Sequence, residues 1–260
     1  MADRKAIFIT GGGSGIGRAI AGRFAREGWR IGIADVNMAG LTETAAALPD
    51  LADTYEMDVR DREGWRRALG DFTAKAGRLD VLANNAGIAL GGPLADAPFE
   101  EIDRTIAINM TGVINGARIG HPFLKATPGS CLLNTASASA IYGSAGLATY
   151  SATKFAVRGL TEALDGEWHR DGIRVRGLVP AFIDTPLLAG SAHASNRSIR
   201  ETVTDAGMEI SSVDAVADAA WRAVHGEALF TYVGKTADRM KFAARWLPGK
   251  LRKSMRRGRG

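Results

Sequence analysis

At 260 residues, the chain is long enough for one large α/β domain that buries its core without disulfides or metal ions. Its composition, 46% hydrophobic and 23% charged, is that of an ordinary globular protein, and no run of about 18 apolar residues predicts a membrane-spanning helix. The net charge is +5, but residues 250–260 hold six basic and no acidic residues, so residues 1–249 carry −1.

The only cysteine, Cys131, lies in an apolar strand pattern and cannot form an intrachain disulfide. Because disulfides mark oxidising compartments, its isolation favours a reducing one. The residues before the first predicted strand leave no room for the apolar region of a signal peptide. We therefore expect a cytoplasmic protein.

The first strong pattern is an apolar strand, Lys5–Thr10, that leads into a glycine-rich turn and then a helix beginning near Ser14. Glycines let backbone N–H groups approach a ligand at the positive end of the helix dipole, which suits a phosphate or pyrophosphate. The spacing is Thr10-Gly11-x-x-x-Gly15-x-Gly17 rather than the general G-x-G-x-x-G. Glycine clusters also form ordinary strand-to-helix turns, so this pattern alone leaves both readings open.

The next strand, Trp29–Ala34, is followed by an acidic residue, Asp35, 24 positions after Gly11. A carboxylate about 20 residues beyond the glycine turn is suited to bind the ribose hydroxyls of a dinucleotide. It would repel the 2′-phosphate of NADP. The sequence therefore predicts NAD as the cofactor.

Helical and strand patterns alternate along the rest of the chain, which predicts a parallel, doubly wound sheet with helices on both faces. Pro122 should end or bend the helix that begins near Pro98, and residues 181–210 lack periodicity, as binding loops or lids do. The other predicted helices are 41–48, 62–75, 149–169 and 213–225, and the other predicted strands are 53–57, 79–83, 130–135, 173–179 and 228–233.

Tyr150 and Lys154 stand at i and i+4, which places both side chains on one face of the 149–169 helix. A tyrosine acting as a base near neutral pH needs its pKa lowered by about 3 units, or about 4 kcal/mol. A cation about 4 Å away supplies about that much at an effective dielectric near 20. Ser137, at the end of the preceding strand, could donate a hydrogen bond to a substrate oxygen. In isolation, such a pair could equally be a half-buried tyrosine beside a solvated lysine.

Five motifs occur in order and together closely resemble the short-chain dehydrogenase/reductase family over roughly residues 5–235. They are Thr10-Gly11-x-x-x-Gly15-x-Gly17, Asn84-Asn85-Ala86-Gly87, Asn109, Ser137 and Tyr150-x-x-x-Lys154. The resemblance implies a single-domain, three-layer Rossmann-type fold with a seven-stranded, mostly parallel sheet. It also implies reversible hydride transfer between NAD(H) and a secondary alcohol/ketone pair.

The resemblance further implies a role for each matching residue. Tyr150 would be the proton donor or acceptor, Lys154 would hold the nicotinamide ribose and lower the pKa of Tyr150, and Ser137 would orient the substrate oxygen. Asn109 would anchor a water on the proton path, and Asn84 would line the middle of the cofactor. The residues implied in cofactor binding are Gly11, Ser14, Gly15, Ile16, Gly17, Asp35, Asp58, Val59, Asn85, Ala86, Gly87, Tyr150, Lys154, Pro180, Ile183 and Thr185.

The residues expected around the substrate, besides Ser137 and Tyr150, are mainly apolar and favour a hydrophobic alcohol or ketone, although several could simply pack in the core. They are Ile88, Ala89, Leu90, Ala138, Ile141, Tyr142, Phe182, Leu187 and Leu188. The family usually has Pro-Gly where this chain has Pro180-Ala181, so the loop over the nicotinamide could be stiffer. No metal site is predicted, because the four histidines are scattered.

We divide the chain into a catalytic domain, residues 1–239, and a basic tail, residues 240–260. The tail is expected to be disordered, or to form an amphipathic helix in weak contact with a membrane surface, rather than to bind nucleic acid. The resemblance implies a homotetramer or homodimer. A non-catalytic, dinucleotide-binding sensor or docking protein is the rival to an enzyme.

Overall fold

Seven parallel strands form the central sheet of the protein in a computed structural model that describes residues 4–48, 51–189, 198–205 and 207–257. The strands are β1 (Ala6–Thr10), β2 (Arg30–Asp35), β3 (Ala52–Glu56), β4 (Val81–Asn84), β5 (Cys131–Thr135), β6 (Arg174–Pro180) and β9 (Phe230–Val233), and two short strands, β7 (Phe182–Ile183) and β8 (Ile210–Ser211), pair separately. The order in the sheet is β3-β2-β1-β4-β5-β6-β9. Because every pair is parallel, all seven carboxyl ends meet at one edge, where the order reverses between β1 and β4.

Helices cover both faces of the sheet, as the alternating pattern predicts. They are α1 (Gly15–Ala25), α2 (Met38–Ala46), α3 (Arg62–Ala76), α4 (Phe99–Ile106), α5 (Gly112–Lys125), α6 (Ala148–Trp168), α7 (Ile199–Asp205), α8 (Val213–His225), α9 (Lys235–Trp246) and α10 (Pro248–Arg257). A π-helical turn, Ala107–Thr111, joins α4 to α5.

Successive side chains of β1 point to opposite faces of the sheet and pack into two separate hydrophobic cores. Ile7 and Ile9 point to the layer that contains α1 and α8, whereas Phe8 points to the layer that contains α3, α5 and α6. On that second side the Phe8 ring lies 5.5 Å from the Phe72 ring and 6.3 Å from the Trp65 ring, between centroids. This three-layer arrangement confirms the predicted fold class.

Three regions differ from the sequence-based expectations. Helix α5 runs through Pro122 and ends three residues later at Lys125; Pro122 has no N–H to donate to the carbonyl oxygen of Arg118, which costs the helix one backbone hydrogen bond close to its end. Residues 181–210 contain β7, a 3₁₀ turn at Pro186–Ala189, α7 and the start of β8, and residues 190–197 lie outside the described residues.

The expectation of a disordered tail is wrong for the described part of residues 240–260. Helix α9 begins at Lys235 and so crosses the proposed boundary at residue 240, and α10 packs on α9. Burial of Ala237 and Leu251 explains why both helices form, since each gives its helix an apolar inner side. Among the described residues, no helix is long and apolar enough to cross a membrane.

Candidate active site

The glycine-rich turn between β1 and α1 lies at the switch point of the sheet. Gly11 has a φ of +69°, a conformation that favours glycine. A Cβ atom on Gly17 would lie 2.1 Å from the carbonyl oxygen of Gly11, so only glycine fits there. Ser14 precedes α1 without capping it by a side-chain hydrogen bond. The N–H groups at the start of α1 are thus placed to meet an anion.

Polar contacts join this turn to the loop after β4. The Oγ1 atom of Thr10 accepts hydrogen bonds from the backbone N–H groups of Asn85 and Ala86, both at 3.1 Å. The Nδ2 atom of Asn85 donates to the carbonyl oxygen of Thr10 at 3.0 Å. Asn85 and Ala86 are therefore held against the glycine turn. Asn84 instead is buried, and its Nδ2 atom donates to Oδ1 of Asn134 at 3.0 Å.

Asp35 ends β2 beside the same turn. One carboxylate oxygen accepts a hydrogen bond from the N–H of Gly13 at 3.0 Å, and the other accepts from the N–H of Asn37 at 3.0 Å. These bonds hold the carboxylate at the cleft, and each oxygen keeps a further lone pair with which it can accept a ligand hydroxyl.

Tyr150 and Lys154 lie on α6 and face the cleft, and Ser137 follows β5. Lys154 is only 4% exposed, and its Nζ atom donates to the carbonyl oxygen of Thr135 at 2.9 Å. Nζ lies 5.6 Å from the centroid of the Tyr150 ring. Lys154 is therefore a buried cation beside the phenol, and the alternative of a solvated lysine is wrong.

The pKa of Tyr150 departs from the expectation. Burial raises the pKa of the phenol above its ordinary value, and a hydrogen bond with Ser137 only partly opposes that rise. Burial also lowers the pKa of Lys154 to about 8. The net pKa of Tyr150 is thus above rather than below its ordinary value, because desolvation disfavours the phenolate more than the hydrogen bond with Ser137 favours it.

Asn109 lies behind the cleft rather than in its lining. It is fully buried in the π-helical turn, where its Oδ1 atom accepts from the N–H of Ile88 and its Nδ2 atom donates to the carbonyl oxygen of Ile88, both at 2.8 Å. A Cβ on Gly87 would lie 3.2 Å from this Oδ1 atom and 3.6 Å from Nζ of Lys154. Asn109 thus holds the Gly87–Ile88 backbone beside Lys154.

A cleft of about 540 Å³ runs along the carboxyl edge of the sheet and brings most of the predicted residues together. The predicted residues that line it are Gly11, Ser14, Gly15, Ile16, Asp35, Asp58, Val59, Asn85, Ala86, Gly87, Ile88, Ser137, Tyr150, Lys154, Pro180, Ile183, Thr185, Leu187 and Leu188. The predicted residues outside its lining are Gly17, Asn84, Ala89, Leu90, Asn109, Ala138, Ile141, Tyr142 and Phe182. Gly17 lies under the glycine turn, and Ile141 packs against the small core that contains Val157 and Val179.

Sequence reasoning missed several residues in the lining, above all Arg60, Arg104 and Ile108. The guanidinium of Arg60 donates to both carboxylate oxygens of Asp58, which lowers the pKa of Asp58. Arg104 and Ile108 stand four residues apart, so they share one side of the helical segment. This spacing could have indicated that the two side chains lie together, but only the packing of the helical segment shows that they face the cleft.

Within the described residues, no group of three or more His, Cys, Asp or Glu side chains is placed to bind a metal ion. The groups that the cleft does offer are a half-buried phenol, a buried ammonium, a hydroxyl and an anion-binding turn.

Comparison with known proteins places this chemistry in a family. A family model described as short chain dehydrogenase matches residues 5–196. The chain is 34% identical over 189 residues to a meso-2,3-butanediol dehydrogenase of Serratia marcescens, an alignment that covers 72% of this chain and 75% of that enzyme. The structure of a 3-ketoacyl-(acyl-carrier-protein) reductase from Brucella melitensis, complexed with NADH, is 30% identical and superimposes with a TM-score of 0.80, covering 91% of this chain and all of that one.

A third relative also matches the C-terminal region. The probable oxidoreductase EphD of Mycobacterium tuberculosis is 31% identical over 262 residues, covering 96% of this chain but 44% of that longer protein. The chain belongs to the short-chain dehydrogenase family and is an oxidoreductase of that family.

Proposed function

We propose that the protein transfers a hydride between NAD(H) and a secondary alcohol or ketone, with Tyr150 as the general acid/base. The observation that carries this proposal is the convergence of Ser137, Tyr150 and Lys154 on the cleft that also contains the glycine turn and Asp35. A sensor without turnover would have no chemical need for the first three side chains.

The residues present fit a nicotinamide dinucleotide. The glycine turn leaves backbone N–H groups open to a pyrophosphate, and the carboxylate of Asp35 is held where ribose hydroxyls could bind. We assign the adenine to Asp58 and Val59, and the nicotinamide end to the loop of Pro180, Ile183 and Thr185. When bound, the cofactor supplies or accepts the hydride.

The protein's own groups then handle the proton. A raised pKa keeps the phenol of Tyr150 protonated at neutral pH, so it suits donation to a carbonyl oxygen during reduction. Ser137 can donate to the same oxygen, and the ammonium of Lys154 stabilises the phenolate that remains. Because alcohol oxidation needs the phenolate, we expect the rate of oxidation to rise with pH and the rate of reduction to fall.

The substrate proposed is hydrophobic. Ile88, Ile183, Leu187 and Leu188 line the cleft with apolar surface. Leu187 is 38% exposed, whereas Leu188 is buried, so Leu187 is the more open to contact with a substrate.

Turnover by the Tyr150→Phe variant tests the proposal. We expect a screen of alcohols and ketones, followed by NADH absorbance, to find a substrate, and kcat to fall by about 10²- to 10⁴-fold in the variant. NADH binding measured by calorimetry should be unchanged, which shows that the cleft is intact. Tyr142→Phe is the matched control, because Tyr142 does not line the cleft. Binding of NADH without turnover of any substrate would favour the sensor, and absence of binding would refute both.

We also propose that the protein is a homodimer or homotetramer that pairs through α4, α5 and α6. Large apolar side chains are exposed along these helices and the turn between them, including Phe99 (80%), Ile114 (40%) and Phe155 (43%). Apolar surface of this kind commonly marks an interface. Size-exclusion chromatography with light scattering should give a mass of two or four chains, and a monomer would exclude this pairing.

We also propose a cytoplasmic location, because the single cysteine, Cys131, is a free thiol, as is usual in a reducing compartment. Cys131 is buried, and burial raises the pKa of its thiol to about 12, so it is a packing residue rather than a reactive thiol.

A further inference from the structure

The exposed side chains of helices α9 and α10 are mainly basic and aromatic, and we call them together the C-terminal surface. Its exposed side chains are Lys241, Phe242, Arg245, Trp246, Leu247, Lys250, Arg252, Lys253 and Arg256. The inner side of the same helices is apolar, with Ala237 and Leu251 buried. The helices are therefore anchored to the protein by their inner side, and the outer side is available to something else.

The charge of this surface is mainly positive. Helices α9 and α10, residues 235–257, contain nine basic residues and one acidic residue, Asp238. Within the described part of the chain, none of the six bases named above forms an ion pair with a carboxylate. Helix α3 shows the usual alternative, because its Arg66 and Lys75 are paired with Glu63 and Asp71 of the same helix. A positive surface whose bases are not paired with carboxylates attracts an anionic partner.

Two aromatic side chains stand at the centre of this charge. Phe242 is 58% exposed and Trp246 is 63% exposed, and they lie one helical turn apart on the outer side of α9. The guanidinium of Arg245 lies 5.3 Å from the Trp246 ring. Exposed Phe and Trp among bases are the composition of a helix that lies in the headgroup region of a membrane.

We propose that the C-terminal surface docks on an anionic lipid bilayer, with Phe242 and Trp246 entering the interface and the bases contacting lipid headgroups. A second copy of the chain is disfavoured, because like charges would face each other across a twofold interface. Nucleic acid would satisfy the charge, but it leaves the aliphatic Leu247, 39% exposed beside Trp246, without an apolar partner.

The C-terminal surface is close in the fold to a proposed catalytic residue. Helix α9 lies against the 3₁₀ turn Ala138–Ala140, which directly follows Ser137. If the proposed function holds, on which this step rests, the substrate class is a hydrophobic alcohol or ketone dissolved in the bilayer.

Sedimentation of the full chain with vesicles tests the docking without requiring turnover. We expect binding to vesicles of phosphatidylcholine with phosphatidylserine, little binding to phosphatidylcholine alone, and release at high salt. The double variant Phe242→Ala/Trp246→Ala and the triple variant Lys250→Glu/Arg252→Glu/Lys253→Glu should each bind about tenfold more weakly. Leu94→Ala is the control, since Leu94 is also exposed (55%) but lies outside this surface.

Circular dichroism and NADH binding should show that both variants fold like the wild type. Equal binding to the two kinds of vesicle, no binding, or variants that bind like the wild type would overturn the docking. Loss of a dimer in the double variant, or tighter binding to a DNA duplex than to the vesicles, would overturn it in favour of those partners. If vesicles bind but no alcohol or ketone is turned over, the docking stands and the proposed function fails.

Discussion

The two ends of the cleft are built in different ways. At the dinucleotide end, backbone groups and short polar side chains fix one another: Thr10 holds Asn85 and Ala86, and Asp35 is held by the N–H groups of Gly13 and Asn37. Almost every contact there involves main-chain atoms, whose positions follow from the strand-turn-helix motif.

The substrate end depends on apolar side chains contributed by distant parts of the chain. Ile88, Leu187 and Leu188 line it, whereas Leu90 and Phe182, which are close to them in sequence, do not. The comparison shows that a site made by main-chain geometry leaves a pattern in the sequence, and that a site made by side-chain packing leaves little. Four experiments test this contrast, in order of decreasing expected effect.

The largest effect is expected for Gly17→Ala. The new Cβ would lie 2.1 Å from the carbonyl oxygen of Gly11, which belongs to a backbone that cannot move without breaking the turn. We expect the free energy of unfolding in urea to fall by about 3 kcal/mol and NADH binding to be lost. Gly143 lies outside the lining of the cleft, and a Cβ there meets no atom within 4 Å, so Gly143→Ala should change stability by less than about 0.5 kcal/mol. A similar fall in the free energy of unfolding for both variants would contradict the special requirement for glycine at position 17.

Lys154→Met should stabilise the protein at neutral pH while it removes activity. The pKa of Lys154 is lowered to about 8, so below that pH the folded protein contains an unfavourable buried cation. The shift of about 2.5 units corresponds to about 3 kcal/mol, less about 1 kcal/mol for the lost hydrogen bond to Thr135. We expect a net gain of about 2 kcal/mol at pH 7.

The pH dependence of the free energy of unfolding tests whether the buried ammonium of Lys154 is the cause of this gain. Between pH 8 and 10.5 the unfolded chain binds a proton that the folded wild type has released, so the stability of the wild type rises with pH. The advantage of the Met variant should therefore shrink as the pH of the urea titration is raised from 7 to 10. The exposed Lys250→Met should show no such trend, and an advantage that stays constant with pH would contradict the assignment.

Asp35→Asn tests the basis of the proposed NAD preference. Loss of the carboxylate weakens hydrogen bonds to ribose hydroxyls and removes the repulsion of a 2′-phosphate, so kcat/KM for NAD relative to NADP should fall by about 10- to 100-fold. Glu56→Gln is the matched control, because Glu56 is the register partner of Asp35 at the end of β3 and is exposed outside the cleft. A wild type that prefers NADP would overturn the cofactor assignment.

The smallest effect is expected at the substrate end. Leu187→Ala removes lining surface and should raise KM for a hydrophobic substrate by about tenfold. Phe182→Ala lies outside the lining and should change KM by less than about threefold, although a larger side chain is removed. The reverse order would mean that the loop rearranges around the substrate.

Much of the fold and most of the site could be predicted because their causes are local. Short apolar runs located most of the strands, and α8 was predicted to the residue. A glycine turn, a carboxylate at a strand end, and a tyrosine four residues before a lysine each express a geometry set by a few neighbouring residues. Parallel pairing then necessarily brings such strand ends to one edge.

The tertiary structure alone decided the features that depend on packing between distant segments. It placed Arg60, Arg104 and Ile108 in the cleft, moved Asn109 behind it, and left Leu90, Ile141 and Phe182 out of its lining. It also set the direction of the Tyr150 pKa, because desolvation depends on everything that surrounds the phenol and not on its sequence neighbours. Helices α9 and α10 follow the same rule: their charge can be counted in the sequence, but burial of Ala237 and Leu251 determines which side of that charge faces outward.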